Sequence, residues 1–127
     1  MERIKISDAE LEVMKALWDK SPQTLPEIVG NVQRENSWEG VTIKTLLLRL
    51  LKKEAVSQEG ERRSYQYSPR ISREEYLKEA SNKFLRDTFQ DTPGALLSFF
   101  VKERRLSSEE LSELKAIIEE AEGQCMK

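Results

Sequence analysis

The sequence predicts a mainly α-helical protein: an N-terminal winged helix-turn-helix domain (three helices plus a β-hairpin wing) at residues 1–70, and a three-helix domain at residues 71–127. Three observations predict this fold class. Apolar residues recur at helical spacing along most of the chain. Four segments open with a Ser or Thr followed three residues later by Glu, the capping box that marks a helix start. After the third helix, two short alternating segments flank a glycine, as in a β-hairpin.

The residue inventory argues against several classes of function. The chain has 21 basic and 23 acidic residues, so it is highly charged but nearly neutral. It has no His and a single Cys, Cys125, so an intrachain disulfide, a His-paired nucleophile and a zinc site cannot be built. No Gly-rich phosphate loop is visible among the five glycines. We therefore expect no enzyme activity, no cofactor and no metal.

The N-terminus carries no apolar segment of signal-peptide length, and no apolar run approaches the ~20 residues of a membrane span. The sequence therefore predicts a cytoplasmic protein that does not insert into a membrane.

The first helix should begin at the capping box of Ser7 and Glu10 and end near Asp19, ahead of a proline. Trp18, near its end, is expected in the core rather than in a binding site. A second capping box starts a shorter helix that should fade near residues 35–37. Its short connection to the next helix is typical of a helix-turn-helix.

The third helix, at residues 42–53, should have two different faces. The apolar stripe consists of Ile43, Leu46, Leu47, Leu50 and Leu51. The opposite side carries Thr42, Thr45, Arg49 and Lys52. A helix of this kind can rest on a core and insert its polar face into a DNA groove. An ordinary amphipathic surface helix has the same pattern, and this stretch alone leaves both interpretations open.

Residues 55–58 and 64–67 are predicted to form the two strands of the wing, joined by residues 59–63. The core-facing positions of the hairpin are Val56, Tyr65 and Tyr67. The tip carries Arg62 and Arg63, which are either a solvated turn or a wing that contacts phosphates. The helix before the hairpin favours the second interpretation.

The last 57 residues are few for a self-sufficient core. A capping box at Ser72 starts a helix to about Asp87, residues 95–101 form a short apolar helix, and Ser107 caps the last helix, which carries a coiled-coil-like seam. A second copy of the chain would bury this surface, although a helical appendage folded back in a monomer is the alternative. The candidate dimerisation residues are Tyr76, Phe84, Leu96, Leu97, Phe99, Phe100, Leu111, Leu114 and Ile118.

Several of these segments together resemble the penicillinase/methicillinase repressor family of winged-helix regulators. They are ISDAELEVMKALW at residues 6–18, Trp38 with TIKTLLLRLLKK at residues 42–53, YQYSPRISREEYL at residues 65–77, and LSSEELSELKAIIEE at residues 106–120. The resemblance runs almost from end to end. It implies an N-terminal DNA-binding domain, a C-terminal dimerisation domain and repression through a palindromic operator.

The resemblance also implies which residues meet DNA. Thr42, Lys44, Thr45 and Arg49 match positions of the family's recognition helix, and the basic residues behind them and on the wing would contact the phosphate backbone. Leu48 either reads thymine methyl groups or is a plain exposed leucine. The full candidate set is Thr42, Lys44, Thr45, Leu48, Arg49, Lys52, Lys53, Arg62 and Arg63. The family often opens this helix with Ser-Pro-Lys, whereas this chain has Glu, Gly and Val at residues 39–41.

The family's antibiotic-responsive members are linked indirectly to a membrane sensor-protease and are inactivated by cleavage of an Asn–Phe bond, so the resemblance implies the same partner here. The matching bond here joins Phe99 and Phe100, a candidate proteolytic switch in which the Asn is replaced. The copper-responsive branch has a Cys-rich tail, whereas this chain has Cys125 alone. The expected function is a homodimeric bacterial repressor of β-lactam resistance or cell-envelope genes. The alternative is a winged-helix protein-interaction module with weak or lost sequence-specific DNA binding.

Overall fold

A computed structural model of the chain describes residues 4–124, so Cys125 lies outside the described residues. The chain divides into two compact units, Met1–Leu77 and Lys78–Lys127. The elements run in the order α1 (Asp8–Asp19), α2 (Leu25–Gln33), α3 (Gly40–Lys52), β1 (Val56–Glu59), β2 (Gln66–Pro69), α4 (Arg73–Phe89), α5 (Pro93–Lys102) and α6 (Ser108–Gln124). The predicted fold class is confirmed: three helices and a hairpin precede three further helices.

All four predicted capping boxes are formed. At α1 the Glu10 N–H donates to the Ser7 hydroxyl at 3.1 Å, and the Ser7 N–H donates to the Glu10 carboxylate at 3.0 Å. Equivalent reciprocal pairs begin α2, α4 and α6. Because these bonds satisfy N–H groups that have no partner within the helix, local sequence alone fixes where these four helices begin.

The core of the first unit lies between α1, α2, α3 and the hairpin. Its buried apolar residues are Val13, Met14, Leu17, Ile28, Val32, Ile43, Leu46, Leu47, Leu50, Ala55, Val56 and Tyr67. Leu51, predicted within the buried stripe of α3, is only half-buried and packs against the edge of this core. Trp18 also lies at the edge, where its indole N–H donates to the Ile71 carbonyl at 2.8 Å.

The third helix begins two residues before its predicted start. Glu39 has an extended backbone (φ −81°, ψ 157°), and its carbonyl accepts the Ile43 N–H at 3.1 Å. The helical hydrogen bonds therefore start one turn ahead of the apolar stripe. The Glu39 side chain makes no capping hydrogen bond.

The hairpin strands lie one to two residues later than predicted. β1 pairs with β2 in antiparallel register, from Val56 opposite Pro69 to Glu59 opposite Gln66. The connection spans residues 60–65, one residue more than predicted, and Gly60 (φ 99°) and Arg63 (φ 78°) adopt left-handed conformations within it. Pro69 is the last residue of the second strand.

In the second unit, aromatic rings link α4 to α5. Phe89 lies 5.9 Å from Phe84 and 6.0 Å from Phe99 between ring centroids, and Phe99 lies 5.7 Å from Phe100. α5 begins at Pro93, two residues earlier than predicted, because a proline fits the first helical turn rather than breaking it. No side chain between residues 78 and 124 is fully buried. No helix within the described part of the chain is long and apolar enough to cross a membrane.

Candidate nucleic-acid interface

The outer face of α3 is exposed along its whole length. Ile43, Leu46, Leu47 and Leu50 hold the helix on the core with at most 5% of their surface exposed. The exposed residues on the opposite side are Val41, Thr42, Lys44, Thr45, Leu48, Arg49 and Lys52. The six predicted site residues among them therefore share one accessible surface, which we call the α3 face.

Positive charge lies on the α3 face without a neutralising partner. α3 contains no acidic residue between Gly40 and Lys52. Within residues 4–124, none of Lys44, Arg49 and Lys52 forms an ion pair. Such cations remain available to an external polyanion such as the phosphate backbone of a nucleic acid.

Val41 belongs to the α3 face, although the sequence marked it only as a departure from the family pattern. It is 75% exposed, the most exposed of the large apolar residues of the described chain. The signal that could have found it is its helical spacing from Thr45 and Leu48, at i, i+4 and i+7.

Lys53 is placed apart from the other predicted DNA-binding residues. Its ammonium group lies 2.5 Å from the Glu10 carboxylate and donates to the Lys5 carbonyl at 2.6 Å. Burial of Glu10 opposes its ionisation, but the hydrogen bonds from Lys53 and Ser7 outweigh that effect and hold the pKa of Glu10 below its usual value. Lys53 therefore fastens the end of α3 to the start of α1.

The wing tip presents the two predicted arginines to solvent. Arg62 and Arg63 are exposed, and neither forms an ion pair within residues 4–124. The turn that carries them is closed by the Ser64 N–H, which donates to the Glu61 carbonyl at 2.8 Å. Both guanidinium groups are free to contact an external anion.

Gln23 positions the wing, and sequence reasoning missed it. Its backbone exchanges two hydrogen bonds with that of Tyr67, at 3.0 and 2.8 Å, and so adds a bridge beside β2. Its side-chain amide donates to the Ala16 carbonyl at 2.8 Å and accepts from the Asn31 amide at 2.7 Å. Gln23 is only 1% exposed and thus joins α1, α2 and the hairpin. No pattern in the sequence distinguishes such a buried glutamine from a surface one.

The candidate dimerisation residues occupy both units. Tyr76 lies in the first unit, with its ring 5.5 Å from that of Trp18. The second unit holds the others, of which Phe84, Leu97, Phe99, Leu111 and Ile118 are exposed and Leu96, Phe100 and Leu114 are half-buried.

Comparison with known proteins identifies the family. A family model described as penicillinase repressor matches residues 6–120. The chain belongs to the penicillinase repressor family. This family consists of transcriptional repressors, not of enzymes, which confirms the resemblance seen in the sequence and the expectation that the chain is not an enzyme.

Two members of the penicillinase repressor family illustrate the similarity. The penicillinase repressor of Bacillus licheniformis is 38% identical over 116 residues, which cover 91% of each chain. The methicillin resistance regulatory protein MecI of Staphylococcus aureus (strain N315) is 29% identical over 114 residues, which cover 90% of this chain and 93% of MecI.

Solved structures support the winged-helix architecture. The solution structure of the DNA-binding domain of the repressor BlaI superposes with a TM-score of 0.53 at 42% identity, covering 60% of this chain and 94% of that domain. The monomeric form of Bacillus licheniformis BlaI, solved in complex with the blaP half-operator, gives a TM-score of 0.52 at the same identity and coverage.

Proposed function

We propose that the chain is a homodimeric transcriptional repressor that places α3 in the major groove of a palindromic operator. The observation that carries this proposal is the α3 face, which is exposed, free of acidic residues and directly opposite the core. A helix held in this way can enter a groove of B-form DNA without disturbing the fold. The similarity to BlaI, which has been solved with a half-operator, supports the same role here.

The residues divide into two kinds of contact. Lys44, Arg49 and Lys52 would contact phosphates or base edges from α3, and Arg62 and Arg63 would contact phosphates from the wing. Phosphate contacts release counterions, so binding should weaken steeply as salt rises. We leave Lys53 out of this set because its ammonium group already pairs with Glu10.

A second copy of the chain would complete the C-terminal unit. A unit of 50 residues with no fully buried side chain among its described residues lacks the apolar burial that stabilises a fold. Its exposed phenylalanines, leucines and isoleucines supply the surface for a symmetric interface. Two-fold symmetry would then match a palindromic operator whose half-sites lie about one helical turn, or a multiple of it, apart.

The names of the relatives support a proposal about the regulated genes. Because these proteins are a penicillinase repressor and a methicillin-resistance regulator, we propose β-lactam resistance or cell-envelope genes as targets. The family resemblance of the sequence adds the proposal of an indirect link to a membrane sensor-protease. The Phe99–Phe100 bond would be the cleavage point. It lies inside α5, so a protease would need this helix to open locally first.

An electrophoretic shift of the DNA upstream of the chain's own gene tests the proposal. We expect a shift that weakens as salt is raised, and footprinting should then reveal two related half-sites. A complete lack of salt-sensitive binding at micromolar protein would contradict the proposal. It would favour a protein-interaction module, for which the exposed Val41 and Leu48 supply an apolar docking surface.

A further inference from the structure

We infer that α3 recognises thymine through an apolar stripe formed by Val41, Thr45 and Leu48, which we call the methyl stripe. The inference rests on the proposed DNA-binding function and specifies which bases the α3 face would read. It reverses the expectation from residue type alone, in which Arg49 is the leading candidate for base recognition.

The geometry of α3 places the methyl stripe at the centre of its exposed face. At roughly 100° per residue, the three side chains fall within about 60° of one another. The midpoint of the stripe is diametrically opposite the midpoint of the buried set, Ile43 to Leu50. Side chains opposite the core project farthest from the domain. They would therefore meet the floor of the groove, where the base edges lie.

The chemistry of the methyl stripe is that of a methyl-contacting surface. Val41 is 75% exposed and Leu48 is 50% exposed. The Thr45 hydroxyl donates to the Val41 carbonyl at 3.0 Å, so its only proton is engaged within the helix. Thr45 thus offers a methyl group and oxygen lone pairs, but no free donor for guanine. Among the unmodified bases only thymine presents a methyl group in the major groove, and apolar side chains contact it.

Two of the three cations of α3 flank the methyl stripe, and the third continues its line. Lys44 and Arg49 lie roughly 70° to either side of its centre, whereas Lys52 lies within about 10° of that centre, one turn beyond Leu48 at the C-terminal end of the helix. Cations at the two sides of a helix in the major groove are directed towards the two phosphate backbones that border it. Lys44 and Arg49 would then supply salt-dependent affinity, while the methyl stripe supplies the preference for thymine.

The test replaces thymine by deoxyuridine, which differs in the major groove only by lacking the methyl group. The full-length chain first selects its best duplexes from a randomised library. The strongest duplex is then synthesised with deoxyuridine at one thymine at a time, and affinity is measured by fluorescence anisotropy. Removing a contacted methyl group should weaken binding about fourfold.

Variants assign the effect to particular side chains. We call the loss of affinity on replacing one thymine by deoxyuridine the deoxyuridine penalty. In Leu48→Ala this penalty should vanish at the thymine that Leu48 contacts. In Val41→Ala it should vanish at a different thymine. Arg49→Ala is the matched control. It should weaken binding to the thymine duplex and to the deoxyuridine duplex by the same factor, and so leave the penalty intact. Since Val41 and Leu48 are exposed, their substitution should leave the melting temperature nearly unchanged.

The outcomes separate this inference from the proposed function. If no duplex is enriched from the library, DNA binding itself is contradicted and the apolar surface is left to a protein partner. If the chain binds a duplex in a salt-sensitive way but tolerates deoxyuridine everywhere, the methyl stripe is overturned while the repressor function stands. A full deoxyuridine penalty that persists in both alanine variants would also overturn it.

Discussion

Lys53 shows how a single residue's partner changes the role that its position predicts. By spacing it belongs to the basic end of the DNA-binding helix, and its charge would suit a phosphate. In the fold, its ammonium group neutralises Glu10, whose side chain is only 3% exposed. A buried carboxylate left without a partner is costly, so Lys53 contributes to stability rather than to the α3 face.

Replacement of Lys53 should therefore destabilise the fold in a pH-dependent way. We expect Lys53→Met to lower the free energy of unfolding by about 1–3 kcal/mol at pH 7, measured by urea denaturation. Because the folded-state pKa of Glu10 is depressed, its contribution is present above the unfolded pKa of about 4.3 and is lost as pH falls through the folded value. The difference between wild type and Lys53→Met should shrink over that acid range.

The same variant separates the two roles of Lys53. If Lys53 does not touch a phosphate, Lys53→Met should leave the slope of log affinity against log salt unchanged in DNA titrations. A slope smaller by about 0.9 would instead indicate that Lys53 neutralises one phosphate in the wild-type complex, as its position in the sequence predicts.

Arg49 is exposed on the α3 face and has no ion pair within residues 4–124, so it should contribute directly to DNA binding. We expect Arg49→Ala to weaken operator binding and to reduce the slope of log affinity against log salt by about 0.9, because one phosphate contact is lost. Lys102→Ala, which removes an exposed cation at the end of α5, is the control and should have little effect. Equal affinities of the two variants would argue against the assignment of α3 to the groove.

At the scale of elements, the wing depends on hydrogen bonds between distant parts of the chain. Gln23 precedes α2, yet its backbone holds β2 in place through Tyr67, while its side-chain amide joins α1 and α2 through Ala16 and Asn31. We expect Gln23→Leu, which keeps the size of the side chain, to lower the free energy of unfolding by about 1–3 kcal/mol, because the Asn31 amide and the Ala16 carbonyl lose their partner. An unchanged urea midpoint would show that water replaces these bonds.

The arginines of the wing should act on affinity without acting on stability. We expect the double change Arg62→Ala and Arg63→Ala to reduce the salt slope of DNA binding by about 0.9 for each phosphate that the wing no longer neutralises. The unfolding midpoint should stay within error of the wild type, since both side chains are exposed. Arg73→Ala, at the start of α4, is a control that removes a cation outside the wing. If the salt slope does not change, the wing tip is a solvated turn that contacts no phosphate.

At the scale of the whole molecule, the central question is how the second unit is stabilised. Leu111, Leu114 and Ile118 lie on one side of α6 and none of them is fully buried within a single chain. We expect the double change Leu111→Glu and Ile118→Glu to convert a dimer into a monomer in analytical ultracentrifugation, because a buried interface cannot accept unpaired charges. Ala116→Glu, on the opposite side of α6, should remain dimeric. A wild-type chain that sediments as a monomer would contradict the dimer.

The helix starts, the two faces of α3 and the order of elements could be predicted from local sequence. Each depends on interactions within a few residues: capping boxes join positions three apart, and an apolar stripe reflects 3.6 residues per turn. Such features can be identified without knowing what lies elsewhere in the chain. The family resemblance could also be seen in the sequence, because it depends on short segments that occur in a fixed order along the chain.

Which polar side chains are available to bind an external partner could be read only from the packed fold. Lys53 pairs with a residue 43 positions earlier, and Gln23 hydrogen-bonds to β2, more than 40 residues later. Both partners are brought close by the packing of the core, and local periodicity carries no information about them. The start of α3 at Gly40, two residues earlier than predicted, likewise places Val41 on the α3 face, where it is 75% exposed.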